Sequence, residues 1–249
     1  MEKNIFLEIE YVGTNYFGFQ VQNKKDKKEI TIQSILEKAL FKLFGQPIRI
    51  NASGRTDRGV HAKAHPLNFK VNTEIPLKNI KNALNSFLPS DIKVKKVKLV
   101  SLDFHSRFSA KSKIYRYIIL NREEPSVFWS VFSWHFPDRL NIALMRQAAK
   151  RLIGLKDFYL FAKGAKKYKN CVRDLKKISI KKKKNFIYID IEANGFLHQM
   201  ARNIVYFLTD AGRKKIAIEQ VDDILSGRIK FIKKPAPSCG LYLKRVKYR

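Results

Sequence analysis

Cysteine is scarce in this chain. Only Cys171 and Cys239 occur in 249 residues, far apart, with no Cys-x-x-Cys pair and no Cys/His cluster around either. That excludes a disulfide framework and a cysteine-based zinc site, so both are read as ordinary reduced thiols. Long apolar runs are missing too. No stretch approaches the roughly 18 apolar residues of a membrane span, and Met1-Glu2-Lys3-Asn4 does not open a signal peptide. A soluble cytoplasmic protein with no membrane partner is expected. Acidic residues are few: 21 Asp+Glu stand against 51 Lys+Arg, a net charge of +30. Such a field concentrates polyanions near the surface and speeds their encounter, which makes nucleic acid the leading partner. Part of the excess is compositional, because it is mostly lysine in a chain also rich in Ile and Asn. The 45% apolar and 12% aromatic content belongs to a globular chain with a large core, as one extended domain or two small ones.

Hydrophobic periodicity sketches the elements. Residues 5–12 alternate from Phe6 onward and predict a strand. A lysine-rich loop, Asn23 to Lys28, follows. Thr31 is a natural N-cap for a helix with Ile32, Ile35, Leu36, Ala39, Leu40 and Leu43 on its apolar face, and Gly45 is its stop. Strands are predicted over 48–52, 67–71 and 92–100, with a helix over 77–88. A strand over 113–120, a helix over 142–152 ended by Gly154, and a hairpin of 174–181 with 186–192 come next. Helices near 197–211 and 218–225 and a last strand over 241–246 complete the pattern. The fold class is α+β, in two halves over 1–105 and 106–249 that share one continuous sheet. No Pro/Gly linker marks the boundary, which argues against independently moving domains.

The run Ser53-Gly54-Arg55-Thr56-Asp57-Arg58-Gly59-Val60-His61 places one carboxylate between two arginines on a glycine-bounded loop after a predicted strand. A cationic setting favours the ionised carboxylate, suited to attack or to proton removal. Taken alone, the run reads first as a surface turn with a structural ion pair, since exposed pairs are common and contribute little. Asp57, His61 and His65 recur every four residues, a spacing that would align three metal ligands on a helix. Gly59 and Pro66 oppose that helix and no glutamate follows in a metal pattern, so no metal is expected. The segment Lys163 to Lys184 holds eleven Lys/Arg and one acid, Asp174, near Tyr159, Phe161 and Tyr168. It reads either as a grip on an RNA backbone or as a solvated lysine face.

Gly-Arg-Thr-Asp-Arg-Gly-Val-His-Ala (54–62) resembles the active-site loop of the tRNA pseudouridine synthase A family, and further segments agree in order and spacing. These are Glu10-Tyr11-Val12-Gly13 with Tyr16-Phe17-Gly18-Phe19-Gln20, Phe104-His105-Ser106-Arg107-Phe108-Ser109-Ala110, and Tyr115-Arg116-Tyr117. Phe196-Leu197-His198-Gln199-Met200-Ala201-Arg202-Asn203 and Gly240-Leu241-Tyr242-Leu243 extend the match to nearly the whole chain. Arg58 departs from the pattern, where a small residue is more usual, as do Gln199 and Ala201.

The resemblance implies two ferredoxin-like halves with the active cleft between them, and a homodimer without cofactor. It implies isomerisation of uridine to pseudouridine in the tRNA anticodon stem-loop. Asp57 then matches the single catalytic aspartate, whether it adds to the base, attacks the ribose or removes the 2′ proton. Tyr115 matches the tyrosine that stacks on the target uracil, and Arg202 the basic residue that pairs with the aspartate. Arg55 resembles the residue that helps displace the base and contacts the backbone, and Leu241 the apolar floor beneath the base. A noncatalytic RNA-binding protein and a metal-dependent nuclease are the alternatives; the first leaves the Asp57 loop without a purpose.

Overall fold

The computed structural model of the protein describes residues 1–21, 30–229 and 234–248. The lysine-rich loop Asn23 to Lys28 lies outside them. Among the described residues the chain is α+β, with ten strands and five α-helices, in two compact units: Met1–Lys111 with Tyr242–Arg249, and Ser112–Leu241.

The first unit runs β1 (Glu2–Tyr11), α1 (Ile32–Phe44), β2 (Asn51–Ala52), β3 (His61–Asn72), α2 (Leu77–Phe87) and β4 (Ile92–Val100). Its strands lie in the order β4-β1-β3-β2, each pair antiparallel, the arrangement of a ferredoxin-like βαββαβ unit. Alternation sends Ile5, Leu7 and Ile9 of β1 and Leu67 and Phe69 of β3 fully into the core. Helix α1 begins where the sequence predicts. The Thr31 hydroxyl accepts from the Ser34 amide at 3.2 Å while the Ser34 hydroxyl accepts from the Thr31 amide at 3.1 Å, which satisfies two orphan donors of the first turn. Gly45, at φ 69°, ends the helix by donating to the Phe41 carbonyl.

Two strand predictions need correction. The strand expected over 48–52 contracts to Asn51–Ala52, because only those residues find partners, Asn68 and Leu67. Conversely β3 begins at His61 rather than Leu67. Pro66 sits within it opposite Glu8, and although it has no N–H to give, its carbonyl accepts the Ser53 amide at 2.9 Å.

The second unit runs β5 (Ser112–Leu120), β6 (Trp134–His135), α3 (Ile142–Leu152), β7 (Gly154–Asp157), β8 (Val172–Lys183), β9 (Phe186–Ala193), α4 (Met200–Gly212) and α5 (Val221–Leu225). Strands lie in the order β5-β9-β8-β7, antiparallel, with β6 parallel to β5. Ile187, Ile189 and Ile191 of β9 and Ile204, Phe207 and Leu208 of α4 are fully buried. β6 and β7 have no counterpart in the periodicity, being too short to show one. β7 covers β8 only as far as Leu175. Beyond it Lys176, Lys177, Lys181, Lys182 and Lys183 are exposed, and Arg146 of α3 donates two hydrogen bonds to the Ile180 carbonyl. The lysine turn of the β8/β9 hairpin places Lys184 at φ 53°.

α4 starts at Met200 instead of Leu197, because Gln199 before it takes a left-handed φ of 60°. The helix expected over 218–225 divides into a 3-10 turn, Ile218–Gln220, and α5. The last strand, β10 (Leu241–Lys247), pairs Tyr242 and Leu243 in parallel with His61 and Ala62 of the first unit. Among the described residues no helix is long and apolar enough to cross a membrane.

Candidate active site

Asp57 lies half-buried on the loop between β2 and β3. The Val60 amide donates to the Asp57 carbonyl at 3.1 Å, and Gly59 between them has φ 76°. A type II turn demands that sign at its third residue, which is why glycine stands there. Arg58, the residue the sequence left without a role, lays its guanidinium over the Phe17 ring at 4.2 Å. Such a contact clamps the loop onto the segment after β1. Arg55 is exposed on the same loop.

Beneath the loop lies a buried polar chain. His65 Nε2 is 3.1 Å from the Gly54 carbonyl, which can only accept, so that nitrogen carries the hydrogen. In the neutral imidazole Nδ1 then accepts from the Tyr11 hydroxyl at 3.0 Å, and the Tyr11 oxygen accepts from the Thr56 hydroxyl at 2.8 Å. The donors run in one direction from Thr56 through Tyr11 and His65 to Gly54, binding both sides of Arg55 to the β1/β3 sheet. Phe19 extends the anchorage: its amide donates to the Thr56 carbonyl and its ring packs on His65 at 4.4 Å. His61 is held separately, accepting the Gly13 amide at 3.1 Å and stacking on Tyr242 at 4.7 Å.

His61 and His65 are thus strand residues engaged in hydrogen bonds. Among the described residues no group of three His, Cys, Asp or Glu is placed to hold a metal ion. Replacing Tyr11 by Phe removes the central hydroxyl of the chain. We expect a loss of about 1–3 kcal/mol in stability and a fall in kcat that exceeds any rise in KM, checked by thermal unfolding and steady-state kinetics.

In the second unit, Tyr115 of β5 is 8% exposed and meets Phe196 edge to face at 4.9 Å. Next to it, Arg116 forms a two-pronged ion pair with Asp190, its cross-strand partner, at 2.7 and 2.8 Å. That bond holds the Arg116 guanidinium above its usual pKa and ties β5 to β9 beside the tyrosine. Arg202 sits in the first turn of α4, half-buried, and Nε donates to the Ala236 carbonyl at 2.6 Å while its own carbonyl accepts the Ala236 amide. The guanidinium is therefore aimed by backbone. Tyr117, fully buried, donates to the Pro237 carbonyl at 2.7 Å. Burial pushes its hydroxyl pKa well up, with Cys239 adding and the Arg202 charge opposing. Gly240 lies so close that a Cβ there would come within 2.6 Å of the Tyr117 ring, and Leu241, 5% exposed, follows it.

The start of α4 is itself braced. Asn203 Nδ2 donates to the Phe161 carbonyl at 2.7 Å, the Tyr168 hydroxyl accepts the His198 amide, and the Lys163 amide donates to the His198 carbonyl. The first residues of the lysine cluster thus hold the turn that presents Arg202. The structure places Arg55 with Asp57 on one loop, and brings the Arg202 charge and Gly240, the residue before Leu241, to Tyr117, two residues along β5 from Tyr115.

A family model described as tRNA pseudouridine synthase matches residues 8–109 and 148–249, which contain all of these groups except Tyr115 to Tyr117. The chain belongs to the tRNA pseudouridine synthase family. It is 42% identical over 247 residues to the tRNA pseudouridine synthase A of Thermoanaerobacter sp. (strain X514), covering 99% of this chain and 100% of that protein. Proteins of the same name from Clostridium botulinum (strain Eklund 17B / Type B), at 41% over 247 residues, and Thermodesulfovibrio yellowstonii, at 38% over 257, cover 98% or more of both chains. Against this synthase family the sequence reading missed the supports. Tyr11, Thr56 and His65 all lie within or beside the matched motifs, but only strand pairing shows that they form one hydrogen-bonded chain.

Proposed function

We propose that this chain isomerises uridine to pseudouridine in the anticodon stem-loop of tRNA, as a cytoplasmic homodimer without cofactor. The observation that carries the proposal is the family match, at about 40% identity over the full length of named tRNA pseudouridine synthases A, with the Asp57 loop inside it. Asp57 acts as nucleophile or base. Breaking the N-glycosidic bond, turning the base and closing a C–C bond need one anionic group that engages the nucleoside and releases it; covalent attack would divide a hard step into two easier ones.

Tyr115 stacks on the uracil. Taking a base out of its stem costs a few kcal/mol, and an aromatic platform returns roughly 1–3 kcal/mol of it. Arg202, aimed by the Ala236 carbonyl, pairs with the carboxylate and fixes its direction. Arg55 takes the RNA backbone as the base leaves the stem, and Leu241 provides the apolar floor. The catalytic aspartate belongs to the half over 1–105 and the stacking and orienting residues to the half over 106–249.

The test is tritium release from tRNA carrying uridine labelled at C5, since C–C bond formation there expels the label. Release should map to the anticodon stem-loop and survive chelator. Intact binding without release would favour the noncatalytic RNA-binding reading, and RNA cleavage that chelator stops would favour a nuclease.

A further inference from the structure

A cavity of about 570 Å³ opens where α3 begins and α4 ends, lined by Arg139, Lys182, Arg213 and Lys214 with Leu140 as its one large apolar side chain. Its walls are fixed. Asn121, buried just past β5, donates to the Phe136 and Asp138 carbonyls at 2.9 and 2.7 Å and accepts the Leu140 amide at 3.4 Å. The Asn141 amide donates to the Gly212 carbonyl at 3.0 Å, fastening the start of α3 to the end of α4. Asn141 also caps α3, whose first turn holds no acid. Arg213 is held by the Asp138 carboxylate at 2.9 Å and lies over the Phe136 ring.

Lys214 is the unexpected residue. It closes α4 at φ 61°, donating its amide to the Ala211 carbonyl, in a left-handed position that glycine usually fills and where a side chain is strained. A lysine kept there supplies a charge where the backbone would favour none.

Four cations and one leucine suit neither an apolar ligand nor a nucleobase; they suit phosphate. We propose that this cavity takes phosphate groups of the substrate's RNA backbone. The inference rests on tRNA being the substrate, and adds a docking point remote from the chemistry. Gly212 lies ten residues along α4 from Arg202, roughly 15 Å at 1.5 Å per residue. Binding there holds the RNA and sets its register without touching the target uridine.

The test uses the full chain with Arg139→Ala, Lys182→Ala and Lys214→Gly combined, sparing the Asp138-bound Arg213. Affinity for a tRNA transcript should weaken about tenfold or more at low salt. The dependence of log K on log salt should become shallower by roughly 0.7–0.9 for each phosphate that the variant no longer neutralises. Tritium release at saturating tRNA should keep its rate. Lys214→Gly alone, which relieves the left-handed strain, should hold or raise the unfolding midpoint, so a weaker affinity cannot be ascribed to misfolding. Unchanged affinity and salt slope would overturn the proposal, as would inorganic phosphate that binds this cavity without competing with tRNA. Because binding is read directly, a chain that binds tRNA through these residues yet forms no pseudouridine would refute the proposed activity and leave the docking site standing.

Discussion

Asp57→Asn is expected to lower pseudouridine formation by about a thousandfold or more while leaving tRNA affinity and the unfolding midpoint nearly unchanged. The substitution is close to isosteric and removes only the anionic oxygen proposed for attack or proton removal. A thousandfold corresponds to roughly 4 kcal/mol of transition-state stabilisation. The loop should keep its course, because several of its anchors do not use the carboxylate: the Val60 amide on the Asp57 backbone carbonyl, His65 on Gly54, Tyr11 on Thr56, and Arg58 on Phe17. Tritium release and filter binding on the same preparation separate the two effects. Normal turnover in this variant would end the assignment of Asp57 as the catalytic group.

Gly13→Ala should damage both stability and activity, although Gly13 is remote from the chemistry in sequence. A Cβ built there would overlap the Val60 carbonyl oxygen and lie 2.7 Å from its carbon. Both are backbone atoms, so no side-chain rotation relieves the clash, and Val60 is the residue whose amide closes the Asp57 turn. The Gly13 amide also bonds His61. Overpacking of this kind costs about 1–3 kcal/mol, occasionally more, a fall in midpoint of roughly 2–12 °C in a chain of this size. We expect kcat to drop at least a hundredfold even at temperatures where the variant is folded. Gly45→Ala is the control: nothing lies within 4 Å of its Cβ, only the left-handed φ opposes it, and about 1 kcal/mol is expected with activity intact.

What could be read from the sequence was what is decided locally. Thr31, the Ile32 to Leu40 stripe and Gly45 determine α1 among themselves, and the predicted helix over 142–152 matches α3 residue for residue. β3 shows the opposite case. Its first residues, His61 to Pro66, carry a proline and no clean alternation, and they are a strand because β1 offers Tyr11 to Glu8 as partners. Asp57 could be singled out from its neighbours, but its setting could not. The sequence set a carboxylate between Arg55 and Arg58 and left Arg58 without a role, and its guanidinium turns to Phe17, forty-one positions earlier. Gln199 similarly hid the true start of α4, since only backbone geometry reveals that a non-glycine residue takes a left-handed φ. For β3 and for Arg58 the missing information was a partner distant along the chain.

The lysines of β8 have a second consequence, separate from any hold on RNA. Past Leu175 the strand shows a row of backbone groups that β7 does not cover, the kind of border on which another polypeptide can add itself as a further strand. Lys176, Lys177 and Lys181 to Lys183 line that border and Arg146 occupies the Ile180 carbonyl, so an approaching chain meets like charge and a blocked acceptor. Acetylating or neutralising these lysines would then remove the guard against self-association, and the chain would become harder to keep in solution.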